Sequence, residues 1–262
     1  MSSSIPQIDF SPFLEGRETG KKQVASQIGK ACREIGFFTL TDHGVSLELI
    51  QRVFDANREF HRQPLEEKEE ILISLSAHHR GYHPFSAEAT DPNAKPDLKE
   101  AFDMALELPL DDPDVKAGKP FHGPNVWPRN PPQFRKTLEE YYQALLLLGE
   151  QICRCFALDL GLDEDYFVDK HSKPLAQLRL LHYPELDMSR HPDQQGAGAH
   201  TDYGSVAILT QDSIGGLEIK TREGQWIPIE PVEGAFVCNC LLYTSDAADE
   251  RSSVDLGGRR II

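Results

Sequence analysis

The chain has little of what several function classes require. Among its 262 residues there are only five cysteines and no Cys-x-x-Cys pair; Cys153/Cys155 and Cys238/Cys240 have one residue between them. An odd number at these spacings argues against a zinc knuckle and against a disulfide framework, and fits a reducing cytoplasm. Basic charge is scarce as well: 27 Lys and Arg stand against 42 Asp and Glu, a net charge of -15. A nucleic-acid partner is not expected, because such a partner needs a basic face. No apolar run is long enough to span a bilayer, and mean hydropathy is -0.44, so no membrane partner is expected either. The opening residues carry neither a basic stretch nor an apolar stretch of the secretory kind. Internal repeats and low-complexity tracts are missing. These absences leave one large globular domain, or a core with an added helical portion, located in the cytoplasm.

What is present changes character along the chain. Residues 5–13 are short and apolar with two prolines, and Ile8 and Phe10 could dock as an edge strand. Residues 17–35 carry Val24, Ile28, Ala31, Cys32 and Ile35 at helical spacing, and Gly36 ends the pattern. "FFTLTDHG" (residues 37–44) reads as a strand closed by a turn. Ser46 can cap a second helix through Leu47, Ile50, Phe54 and Phe60, broken by Pro64. Residues 78–96 and 111–132 look irregular. Pro131 and Pro132 open a long helix through Phe134, Leu138, Tyr141, Leu145, Leu148, Ile152 and Phe156, stopped near Gly161. Five short strand candidates follow at 175–184, 205–212, 216–221, 225–231 and 235–239, separated by Gly or Pro turns. A helical half followed by short strands predicts mixed α and β structure, with a β-barrel or jelly roll braced by N-terminal helices.

The stretch "GAHTDYG" precedes the second of these strands. His200 and Asp202 stand one residue apart, so on an extended strand their side chains share a face. Two histidines and one carboxylate on one face hold non-haem Fe(II) and leave positions open for substrate and oxygen. His200 and Asp202 would be two of those three donors. His-x-Asp alone is a weak motif, and its bland reading is a strand end bonded to a turn. Context strengthens it: glycines at 196 and 198 lie before the pair and an apolar strand lies after it.

Several motifs in order resemble the isopenicillin N synthase-like branch of the Fe(II)/2-oxoglutarate-dependent dioxygenases. They are "IPQIDFSPF", "ACREIGFFTLTDHGV", "RGY" at 80–82, "LHYPELD" at 181–187, "HTDYGSVAILTQD" and "GGLEIKTREGQWIPIEPVEGAFVCN", and together they cover most of residues 5–239. The resemblance implies a double-stranded β-helix (jelly-roll) core, incomplete here at the C-terminus. It implies His200 and Asp202 as iron ligands, and Fe(II) and 2-oxoglutarate as cofactor and cosubstrate. It implies O2 and a small organic molecule as partners. It also implies that Tyr183, in the Tyr-Pro pair, hydrogen-bonds a bound carboxylate. Many plant-type members have Asn where this chain has Leu181. Strand alternation puts Arg179, Leu181 and Tyr183 on one face and Leu180 and His182 on the other.

Bland readings suit the other candidates. Arg179 is expected to be a structural ion-pair partner and His182 to be packing. Arg80 is expected to be an exposed loop arginine, although an arginine can grip a carboxylate bidentately. His78, His79 and His83 are expected at the surface, Cys153 and Cys155 in packing, and "LEEKEE" (65–70) on a solvated face.

After Asn239 the family continues with Ile-Gly-Asp and strands bearing a distal His and an Arg-x-Ser pair. This chain instead reads "CLLYTSDAADERSSVDLGGRRII", and no histidine follows His200. The segment resembles translated read-through of a synthetic sequencing adapter. The expected division is therefore an N-terminal helical or mixed region over 1–170, a partial jelly-roll core over 171–239 and a non-native tail over 240–262. Function follows the same split. The full-length form is expected to be an Fe(II)- and 2-oxoglutarate-dependent dioxygenase that turns 2-oxoglutarate into succinate and CO2 while oxidising its substrate. The alternative is an inactive truncated fragment or a non-catalytic jelly-roll binding module.

Overall fold

A computed structural model describes residues 4–240 except 91–94, 188, 190, 192, 193, 203, 222 and 223. The segment 241–262, on which the tail expectation falls, lies outside the described residues. The chain divides into two compact units, each assembled from separated stretches. One comprises the described parts of Met1–Leu47, Leu147–Lys170 and Ala199–Ile262, and the other Glu48–Leu146 and His171–Gly198.

The first unit is built on a four-stranded sheet in the order β1 (Gln7–Asp9), β2 (Phe37–Thr41), β9 (Phe236–Cys240), β6 (Val206–Leu209). β1 runs parallel to β2 at the edge, directly after Pro6, and Ile8 and Phe10 are buried as the alternation predicts. β9 is antiparallel to both of its neighbours, with Asn239 opposite Phe37 on one side and Ala207 on the other. A two-stranded ribbon, β7 (Glu218–Lys220) with β8 (Trp226–Pro228), adds Ile219 to a core shared with Phe37, Ile229 and Val237. Helix α1 (Ser11–Leu14) and helix α2 (Glu18–Glu34) lie in this unit, and α2 buries Val24, Ile28 and Cys32. Strand β9 extends to Cys240, which is buried and donates its N–H to Gly36 O at 2.8 Å. The ladder thus runs one residue into the segment where the sequence departs from the family pattern.

The second unit holds a three-stranded antiparallel sheet, β3 (Gly81–His83), β4 (Glu100–Ala105) and β5 (Gln177–His182). Helix α3 (Leu47–His61) brings Phe60 onto an aromatic cluster with Tyr82, Phe102 and Phe134, ring centroids 5.0–6.0 Å apart. These are the edge-to-face and offset distances that aromatic rings favour. A short helix, α4 (Leu65–Glu69), starts after Pro64, and another, α5 (Pro113–Lys116), is capped by the Asp112 side chain on the Asp114 N–H. The long helix α6 (Phe134–Asp159) gives its residues up to 146 to this unit and the remainder to the first.

The strand and helix expectations hold for β1, β2, β5 to β9, α2, α3 and α6. Strands β3 and β4 were not anticipated. Every residue of β4 is buried, yet Glu100 and Asp103 interrupt its apolar pattern, so neither period signals a strand. β3 is three residues, too short to show a period.

Gly20 of α2 marks a close approach within the first unit: a Cβ there would lie 2.4 Å from Pro12 O, a backbone atom of α1. Alanine is the better helix former by about 1 kcal/mol, but it would have to push α1 away. Gly20→Ala should therefore lower stability by about 1–3 kcal/mol, the usual cost of overpacking. A urea midpoint raised by the substitution would show that α1 yields freely.

Candidate active site

His200 and Asp202 lie just ahead of β6 and not on it, with His200 in an isolated β-bridge and Asp202 in irregular chain. The spacing argument nevertheless holds in its consequence: His200 Nε2 is 3.4 Å from Asp202 Oδ1, and both side chains are about one-quarter to one-fifth exposed, at 26% and 19%. The pairing comes from a side-chain bond and not from strand pleat. Asn239 on β9 donates from Nδ2 to Asp202 Oδ2 at 2.7 Å, which leaves Oδ1 turned to the histidine. Burial works against the Asp202 carboxylate, but the bonds from His200 and Asn239 outweigh it and hold the group below the usual aspartate range. Asn239 was not singled out from sequence. The available signal was an amide ending the apolar run "AFVC", and a buried amide needs a partner.

Tyr183 lies one residue past β5, with 49% of its surface exposed. Its ring rests on bare backbone: a Cβ on Gly196 would sit 3.0 Å from Tyr183 Cδ1. Arg179 is the expected ion-pair partner. Its Nε donates to Asp103 Oδ1 at 2.8 Å and its Nη2 to Glu88 at 2.8 Å. His182 donates from Nδ1 to Glu100 at 2.8 Å and stacks on His61 at 5.1 Å.

Three surface expectations need correction. Arg80 is 2% exposed, and its guanidinium donates to the carbonyls of His78, His79 and Phe121, so it braces two loops. Lys68 of "LEEKEE" is buried and donates to Glu100 at 2.7 Å, while the neighbouring glutamates stay exposed. His83 is buried between Asp103 at 2.8 Å and Glu88 at 3.0 Å. In each case a buried ion is retained because it finds partners on β4 or in neighbouring loops. His78 is half-buried and His79 exposed; Cys153 and Cys155 are buried.

Among the described residues no group of three His, Cys, Asp or Glu is arranged to hold a metal. Among the described residues, His200 and Asp202 have no third His, Cys, Asp or Glu beside them that completes such a group. No described helix is long and apolar enough to cross a membrane.

Residues 5–130 match the N-terminal region described as non-haem dioxygenase in morphine synthesis, and residues 175–242 match the 2OG-Fe(II) oxygenase superfamily. A 2-oxoglutarate-Fe(II) type oxidoreductase of Emericella nidulans is 36% identical over 89% of this chain and 68% of its own length. A homoarginine-6-hydroxylase of Glycine max is 36% identical over 90% of the chain and 75% of its own. The crystal structure of a full-length Neurospora crassa protein in complex with alpha-KG and thymine superposes with a TM-score of 0.79 at 31% identity, over 98% of this chain and 79% of that one.

The buried His83 also makes a pH prediction. Burial alone would lower its pKa, but the bonds and charges of Asp103 and Glu88 raise it to about 9. Its contribution to stability is complete below about pH 6.5 and is lost as pH rises towards 9. His83→Gln should be less stable than the parent by about 1–3 kcal/mol at pH 6, with the gap closing above pH 9. Urea melts at the two pH values measure this, and a gap independent of pH would show that His83 is not protonated in the fold.

Proposed function

Because the chain belongs to the 2OG-Fe(II) oxygenase superfamily, we propose that its metal chemistry centres on the His200–Asp202 pair. The superfamily's members are Fe(II)- and 2-oxoglutarate-dependent oxidoreductases with a jelly-roll core, and this chain is an enzyme of that class by family. The observation that carries the site assignment is the 3.4 Å approach of His200 to Asp202, with Asn239 orienting the carboxylate. The donor set fits the iron at two of three protein positions. The third has no candidate among the described residues, and no histidine follows His200 in the sequence. Bound Fe(II) supplies the oxidative chemistry that splits 2-oxoglutarate to succinate and CO2 and oxidises the substrate. His200 and Asp202 hold the metal, Asn239 keeps the carboxylate turned towards it, and Tyr183 offers its hydroxyl to a carboxylate of cosubstrate or substrate.

The finer placement is the isopenicillin N synthase-like branch, supported by the ordered motifs from "IPQIDFSPF" to "AFVCN". The functional division is 1–170 and 171–239, supported by family matches that fall on either side of residue 170. We read the chain from Cys240 on as a departure from the family's continuation; the match stops at 242, three residues into that segment, and Cys240 itself completes β9. Cytoplasmic placement rests on five cysteines at spacings that suit neither a disulfide framework nor a zinc knuckle. The substrate is a small organic molecule, as the names and ligands of the homoarginine- and thymine-associated relatives suggest by their size.

Co(II), a spectroscopic stand-in for Fe(II), should bind weakly to the chain and not at all after His200→Ala or Asp202→Ala. Retention of that binding in both variants would remove the pair from the site. With the residues after Asn239 replaced by a family continuation, the protein should form succinate from 2-oxoglutarate. In that protein Tyr183→Phe should weaken 2-oxoglutarate or substrate binding by about 1–3 kcal/mol, the range for a hydrogen bond to a charged group. Unchanged affinity for both would exclude Tyr183.

A further inference from the structure

Asp97 stands just before β4 and is 2% exposed. Its two oxygens are used differently. Oδ2 accepts from the Thr90 N–H at 3.2 Å, from the Thr90 hydroxyl and from the Lys99 ammonium, which is itself 5% exposed. Oδ1 reaches across 101 positions of sequence and accepts the Gly198 N–H at 2.8 Å. Neighbouring bonds reinforce that contact. Leu98 N–H donates to Gln195 O at 2.9 Å, and Gln194 Nε2 donates to Pro96 O at 2.9 Å. Residues 96–98 therefore hold the 194–198 segment at three points.

That segment is where order is hardest to obtain locally and most useful. Glycines at 196 and 198 deprive it of intrinsic stiffness. The Tyr183 ring rests on it at Gly196, within 3.0–3.2 Å of where a Cβ would be. From Gly198 the chain runs only two residues to His200. The ion pair with Lys99 does not by itself offset the desolvation of Asp97, whose remaining lone pairs need further donors. The Gly198 N–H is one of them, so the same bond satisfies the carboxylate and pins a glycine-rich segment.

We propose that Asp97 is a positioning residue: through the Gly198 N–H it sets the 194–198 segment, and so fixes the bed of the Tyr183 ring and the backbone that ends two residues ahead of His200. This inference rests on the reading of that pair as metal donors. Asp97 touches neither metal nor substrate. It acts through the backbone two residues ahead of His200, one step further out than the direct hydrogen-bond partners of ligating groups, whose loss typically costs 10–100-fold in metal affinity.

Two substitutions separate positioning from general support. Asp97→Ala and Asp97→Asn both remove the charge that faces Lys99, so that loss is common to them. Only Asn keeps an acceptor for the Gly198 N–H. In the parent chain, amide exchange followed by NMR should show Gly198 as a slow exchanger, and the Gly196 Hα resonances should be shifted by the Tyr183 ring. Asp97→Ala should lose both signatures and raise the Co(II) dissociation constant on the order of 10-fold. Asp97→Asn should restore both signatures and most of the affinity. Co(II) affinity unchanged in Asp97→Ala, or equally poor in Ala and Asn, overturns the positioning role. If Asp97→Ala does not fold, the parent's exchange and the Asn variant decide: fast exchange of Gly198 in the parent, or weak Co(II) binding with a protected Gly198 in Asn, also overturns it. Co(II) binding that survives His200→Ala marks a different failure, that of the donor reading, and removes the inference with it.

Discussion

Strand β9 is the constraint on which the first unit depends. It is bonded along both edges, to β2 on one side and β6 on the other, so it joins the two ends of a sheet whose strands come from opposite ends of the chain. A strand buried at all five positions has no water to satisfy its backbone, and both ladders must form together. Its alternation then does two jobs. Val237 enters the apolar core with Phe37, Ile219 and Ile229. Asn239, two residues on and therefore on the same face, reaches Asp202. The element that closes the core is also the element that orients the candidate ligand.

The second unit shows how the same chain treats carboxylates that are structural. Glu100 and Asp103 sit on opposite faces of β4, and each is saturated. Glu100 accepts from Lys68, Tyr82 and His182; Asp103 accepts from His83, Gln177 and Arg179. Those bonds pull Glu100 down to about 2 although burial opposes it. Asp103 has no exposed side-chain surface at all, whereas Asp202 keeps 19%. The comparison separates two uses of a buried acid. A saturated carboxylate locks strands together, and a carboxylate with two partners and partial exposure retains capacity for a ligand.

Legibility followed the periodicity. Helices α2 and α6 have long apolar stripes, and β5 to β9 are bounded by Gly and Pro, so both announced themselves. β4 did not, because the two acids it buries break every apolar pattern. The same blindness hid Lys68, Arg80 and His83. A charged side chain reads as solvated until its partner is known, and here each has a partner 20 to 41 positions away.

The residue types and order along the chain were enough to establish the family motifs, the strand-rich second half and the nomination of His200, Asp202 and Tyr183. Spacing could say that the histidine and aspartate share a face on an extended chain, since i and i+2 is a local relation. It could not say what holds them. That was decided by Asn239, brought from 37 positions away by the β6–β9 ladder, and for the preceding segment by Asp97, 101 positions from Gly198. Local preference is carried by neighbouring residues and survives in the sequence; the partner of a buried polar group is chosen by three-dimensional packing, where any residue that reaches the site with the right hydrogen-bonding atom can serve.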